Sequence, residues 1–149
     1  VYLTQTTLTL AQATVYRARF GHSHLIIDPF LYKETKYLDP IEITQDITRT
    51  LKNDEHCDLI ICLSHLGYHY KNDIDKISDL KLAAATKDID LIIGGHTHTF
   101  LPKPTLVKNV NNETVIVNQV GAYGVNLGRI DFYFDNQSNK EISNKTIIV

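Results

Sequence analysis

Two short apolar runs, Leu59-Ile60-Ile61-Cys62-Leu63 and Ile89-Asp90-Leu91-Ile92-Ile93, constrain this chain more than any other feature, because each has the length and side chains of a buried strand and each is followed by histidine. The first ends in Ser64-His65 and the second in Gly94-Gly95-His96-Thr97-His98. Between them, Ile77, Leu80 and Ala84 recur at helical spacing, which predicts a helix over 76–86. Strand, helix, strand implies a parallel pair joined by a right-handed crossover, with both histidine segments at the same C-terminal edge. Open α/β sheets place their ligands at that edge.

The pattern extends in both directions. Asp39-Pro40 supplies an N-cap with proline at the first helical position, and Ile43, Ile47 and Leu51 continue a helix over 40–53. The first strand is expected over 57–63 and the second over 89–93, with Gly67 in the loop between strand and helix. Beyond the second histidine motif, Pro102 and Pro104 interrupt the chain; strands are expected over 114–117 and 129–134, with Gly121, Gly124 and Gly128 in tight turns between them. A last strand over 145–149 is expected to pair across an Asn136-Gln137-Ser138-Asn139 turn, making 136–149 a terminal hairpin segment. Residues 1–30 stand apart, with Arg17 and Arg19 the only charges before Asp28; weak alternation there suggests strands over 2–10 and 14–20.

A chain of 149 residues has room for one ordinary core, so a single domain over 1–149 is expected. Its net charge of -2, from 15 basic and 17 acidic residues, offers no field for a nucleic-acid polymer or an acidic membrane. No apolar stretch reaches the roughly 20 residues of a membrane span. Cys57 and Cys62 are placed on one strand at odd spacing, facing opposite ways and unable to bridge. The chain starts at Val1 and contains no methionine, as expected of a processed protein or a piece of a longer one.

Neutral imidazole is the commonest nitrogen ligand for zinc, manganese and iron. On an extended segment His96 and His98 would share a face, roughly 6.6 Å apart by the strand rise, able to meet one ion or to serve the two ions of a dinuclear pair. Gly94 and Gly95 permit a backbone turn that a Cβ would obstruct. Asp54-Glu55-His56 sits at the polar end of a helix and is read as solvent-exposed, Gly21-His22-Ser23-His24 lies at the wrong end of its apolar run, and His69 is read as a loop residue. Ser64 and His65 are adjacent and would face opposite ways on a strand, which gives little support to nucleophilic serine.

The ordered motifs Leu63-Ser64-His65-Leu66-Gly67-Tyr68, Gly94-Gly95-His96-Thr97-His98-Thr99-Phe100-Leu101, Val117-Asn118-Gln119-Val120-Gly121 and Leu127-Gly128-Arg129-Ile130-Asp131 resemble the C-terminal half of a calcineurin-like metallophosphoesterase domain. Among these the bacterial 5'-nucleotidase-type metallophosphatases are the most similar, over residues 31–135. The resemblance implies an α/β fold, a partial metallophosphatase-type sandwich of mixed β-sheets flanked by helices with the N-terminal half of the domain absent. It implies His65 and His96 as ligands of one divalent metal and His98 as a ligand of the other, the ions being zinc, manganese or similar. It further implies hydrolysis of phosphate monoesters such as nucleotides, and a periplasmic or secreted location.

The family's bridging carboxylate and catalytic histidine come from Asp-x-His and Asn-His-Glu/Asp motifs upstream. No Gly-Asn-His occurs in this sequence, and Asn118 has no histidine after it. The isolated chain is therefore expected to be weak or inactive. The alternative is a non-catalytic, degenerate metal-binding fragment, or a chain that completes a composite site with a partner. An incomplete sandwich would also leave apolar sheet uncovered, a surface for self-association.

Overall fold

The computed structural model describes residues 38–134 and 140–148; for the last of these stretches only the backbone course is considered. The strands expected over 2–10 and 14–20, the Gly21-His22-Ser23-His24 motif and the 136–139 turn lie outside the described residues.

Helix α1 (Pro40–Asn53) matches the expected helix because its start is strongly specified. The Asp39 carboxylate accepts from Ile41 N at 2.8 Å and Glu42 N at 3.1 Å, while Pro40 has no N–H left to satisfy. Strand β1 (Ile61–Leu63) and strand β2 (Leu91–Ile93) are both shorter than expected. Just before the first paired residues, Ile60 N donates to the Asp90 carboxylate at 2.8 Å, so a side chain replaces one ladder bond there, while Ile60 O still accepts from Asp90 N at 3.0 Å. Cys57 lies outside the strand, its N–H bonded to Leu51 O at the end of α1, and both cysteines are free. Helix α2 (Asp79–Ala85) also begins later than the expected 76, because Ser78 is its N-cap and accepts from Lys81 N.

Strand β3 (Thr105–Lys108) was not expected from the sequence; it begins directly after Pro104 and runs along the sheet edge. Strand β4 (Thr114–Asn118) is one residue longer than expected. The four form a mixed sheet in the order β1-β2-β4-β3, with β1, β2 and β4 parallel and β3 antiparallel to β4. Strands β5 (Asn126–Phe134) and β6 (Lys140–Ile148) form a separate antiparallel pair, both longer than expected.

The sheet separates two apolar layers. On the helix side Cys62, Leu66, Leu82, Ala83, Ile89, Ile92, Val115 and Val117 form the buried core, with Ile41, Tyr68, Ile77, Leu80 and Val107 packed against it. Burial pushes the Cys62 thiol up to about 12, and the nearby Asp79 adds to the effect, so this cysteine behaves as a small apolar residue. On the other side, Ile61, Leu91 and Ile93 face Leu127, Ile130 and Phe132 across a cavity of about 730 Å³. A mixed sheet with helices against one face, beside an antiparallel pair, agrees with the α/β class. Among the described residues, no helix is long and apolar enough to cross a membrane.

Candidate functional site

Three parallel strands end level with one another: Leu63 pairs with Ile93, and Ile93 with Asn118. The ladder continues one step further, through Ser64 N to Ile93 O and Gly94 N to Asn118 O, both 2.9 Å. The residues immediately beyond are therefore brought to one edge by register alone. From β1 comes Ser64-His65, from β2 the segment Gly94 to His98, and from β4 Gln119.

His65 and His96 meet there, with ring centroids 5.2 Å apart and planes at 69°. Both are exposed. Gly95 makes the approach possible, since a Cβ on it would lie 3.0 Å from His65 Nδ1. His98 is directed elsewhere: its ring stands edge-on to Tyr123, centroids 6.1 Å apart. The extended His96-Thr97-His98 segment is corrected by the structure. His96 has φ +69° and His98 φ +51°, both in the left-handed region that residues with a Cβ seldom occupy. The separation argued from strand rise therefore does not apply, and the two imidazoles are placed by a folded loop.

The loop is anchored from beneath by residues for which no role was expected: Gln119, Thr97, Tyr68 and Ser64 stand within the motifs that resemble the family, and Asp79 in none of them. Gln119, 2% exposed, donates through Nε2 to Gly95 O at 2.6 Å. Its Oε1 accepts from Thr97 Oγ1 at 3.0 Å and from the Thr99 N–H. Thr97 Oγ1 also accepts from Tyr68 N at 3.0 Å, which joins this loop to the one after β1. Asp79, fully buried at the start of α2, accepts from the Ser64 hydroxyl beside His65. Its second oxygen, Oδ2, has no hydrogen-bond partner and lies where a Cβ on Gly94 would stand. Burial pushes the Asp79 carboxyl up to about 6, against the lowering effect of the Ser64 bond. Asp79 gave no signal because a single aspartate after serine reads only as a helix start. Gln119 could have been found by noting that it follows the third parallel strand as His65 follows the first.

The other candidates are apart from this edge. Asp54, Glu55 and His56 are exposed at the end of α1, and His69 is exposed in the loop after β1. No group of three or more His, Cys, Asp or Glu residues among those described is arranged to hold a metal ion. The pair His65 and His96 has the ring-centre spacing that one shared ion would require. Two imidazoles bound to one tetrahedral metal at about 2.1 Å per bond have ring centres roughly 5 Å apart, close to the distance found here.

No protein-family model matches the chain. It is 39% identical over 105 residues to the trifunctional nucleotide phosphoesterase protein YfkN of Bacillus subtilis, a match that covers 70% of this chain and 6% of that protein. It is 31% identical over 131 residues to a 5'-nucleotidase of Vibrio cholerae, covering 76% of this chain and 23% of the relative. In three dimensions it is similar to a 5'-nucleotidase precursor from Thermus thermophilus, with a TM-score of 0.63 and 30% identity over 75% of this chain and 23% of that one. The chain thus spans less than a quarter of the length of each of these proteins.

Proposed function

This chain belongs to the 5'-nucleotidase-type metallophosphoesterases, and on that premise we propose that it corresponds to the C-terminal half of their catalytic domain and supplies one share of a metal-dependent phosphomonoesterase site. The observation that carries the reading is the His65–His96 pair, set 5.2 Å apart by the matched ends of β1 and β2. In this reading His65 and His96 hold one divalent ion and His98 the second of a dinuclear pair. Such a pair, when bound, polarises phosphoryl oxygens and acidifies a water to serve as the nucleophile. The chain's own contribution is to present imidazoles and to keep them oriented through Gly95, Thr97 and Gln119. Nucleotides are the substrate class that the relatives' names suggest, and a periplasmic or secreted location goes with them.

Isothermal titration of the full chain with zinc or manganese tests the ligand assignment. His96→Ala is expected to weaken binding at least tenfold, about 1.4 kcal/mol or more. Wild-type affinity in both His65→Ala and His96→Ala would refute it. Hydrolysis of a generic phosphomonoester by this chain alone is expected to be weak or undetectable, and robust turnover abolished by His96→Ala would overturn that expectation.

A second reading rests on the absence, among the described residues, of a carboxylate grouped with the imidazoles. Here the chain binds metal without catalysis, or completes a site with a partner chain. Metal binding without hydrolysis supports it, and hydrolysis by the chain alone excludes it.

A further inference from the structure

The backbone around the histidines presents a problem that the metal reading leaves unsolved. His96 and His98 both hold positive φ, separated only by Thr97, and both side chains are exposed, so burial in the core does not hold them there. Such conformations persist only where the surroundings over-determine them. The neighbouring contacts converge on one buried side chain. Gln119 satisfies Gly95 O on the near side of His96, Thr97 Oγ1 between the two histidines, and the Thr99 N–H beyond His98. Three bonds at positions 95, 97 and 99 thus bracket residues 96 and 98. The main chain closes the same loop, with Thr97 N donating to Gly95 O and Gly121 N to Thr99 O, both 2.9 Å.

We infer that Gln119 is a positioning residue: a buried amide that bridges residues 95, 97 and 99 and so fixes the backbone from which His96 and His98 present their imidazoles. The inference rests on the ligand reading proposed above for its functional meaning, though not for its geometry. A glutamine suits the task because its amide carries both a donor, required by Gly95 O, and an acceptor, required by Thr97 and Thr99. Thr97 acts as the intermediary, since its hydroxyl also accepts the Tyr68 N–H and carries the restraint to the loop that bears His65.

Three variants of the full chain test this: Gln119→Met, which removes all three bonds at similar volume, Gln119→Glu, which keeps the acceptor bonds, and Thr97→Val. Two readouts are taken, the backbone chemical shifts of His96 and His98 in the metal-free chain, and the affinity for zinc alone by calorimetry. Gln119→Met is expected to shift both histidines out of the left-handed region and to weaken zinc binding at least tenfold. Gln119→Glu loses the donor to Gly95 O and sets a buried carboxylate against that carbonyl, so it should not restore the wild-type shifts, and Thr97→Val should weaken zinc by about threefold, near the lower end of a net hydrogen bond. A folded Gln119→Met chain with unchanged histidine shifts and zinc affinity, even one of reduced thermal stability, overturns the inference. If Gln119→Met fails to fold, Thr97→Val decides by the same two readouts. A wild-type chain that binds no zinc refutes the ligand reading instead, while the shifts still decide whether Gln119 sets the loop.

Discussion

Replacing Asp79 by asparagine and following stability against pH isolates what burial of this carboxyl does to the fold. Asp79 is fully buried, one oxygen is bonded to the Ser64 hydroxyl, and the other has no hydrogen-bond partner. Desolvation outweighs the Ser64 bond and raises the carboxyl from its ordinary 3.8 to about 6. Below 3.8 the group is protonated in both folded and unfolded chains. Between the two values the unfolded chain ionises first, so stability falls as pH rises; above about 6 both states are ionised and the loss is complete. At about 1.4 kcal/mol per pH unit, the full penalty is on the order of 3 kcal/mol. About 2 kcal/mol of it is expected between roughly pH 4.5 and 7.5.

The amide introduced by Asp79→Asn carries no charge and still offers Ser64 an oxygen acceptor. Urea unfolding followed by circular dichroism, at a series of pH values in that range, gives the stability of each chain. Subtracting one curve from the other cancels the titration of every group the two share. Asp79→Asn is expected to gain on the wild type as pH rises, by about 2 kcal/mol over the range, and to level off above about pH 7. A difference that stays constant with pH would refute the reasoning. One of opposite sign would mean that the ionised carboxylate is stabilised in the fold rather than penalised.

Gly94→Ala should lower stability by about 1–3 kcal/mol, read as a drop in melting temperature, because its Cβ would press into Asp79 Oδ2 and lie 3.2 Å from Gln119 Nε2, both on buried side chains. Asp39→Ala should cost about 1 kcal/mol in the same assay by removing both cap bonds of α1. A neutral Gly94→Ala would show that the Asp79 carboxyl has room to move, and a neutral Asp39→Ala would show that tertiary packing alone holds α1.

What was legible in the sequence was local and periodic. The helix over 40–53 declared itself through Asp39 and Pro40, where side-chain chemistry and the helical repeat point to the same start. The buried runs at 59–63 and 89–93 announced a parallel pair, but not where pairing begins, where the Asp90 side chain takes the Ile60 N–H across 30 positions of sequence. Strand β3 was hidden because four residues alternating half-buried and exposed after a proline carry too little pattern to separate from a loop.

The histidines divide in the same way. Their arrival at one edge follows from strand type and register, which apolar runs encode. Their backbone conformation does not, because it depends on a glutamine 23 residues after His96 that reaches this loop only once β4 has paired with β2. Periodicity reads residues against their sequence neighbours, and the motif Val117-Asn118-Gln119-Val120-Gly121 gave Gln119 a family likeness but no role. The signal that was available is comparative: three parallel strands ending in Leu63, Ile93 and Asn118 deliver whatever follows to one place. Two of those strands deliver imidazoles and the third delivers an amide. The amide is buried and both donates and accepts within the loop, so the division of labour follows once the register is known: the imidazoles stand at the exposed edge, and the buried amide bridges the loop that carries two of them.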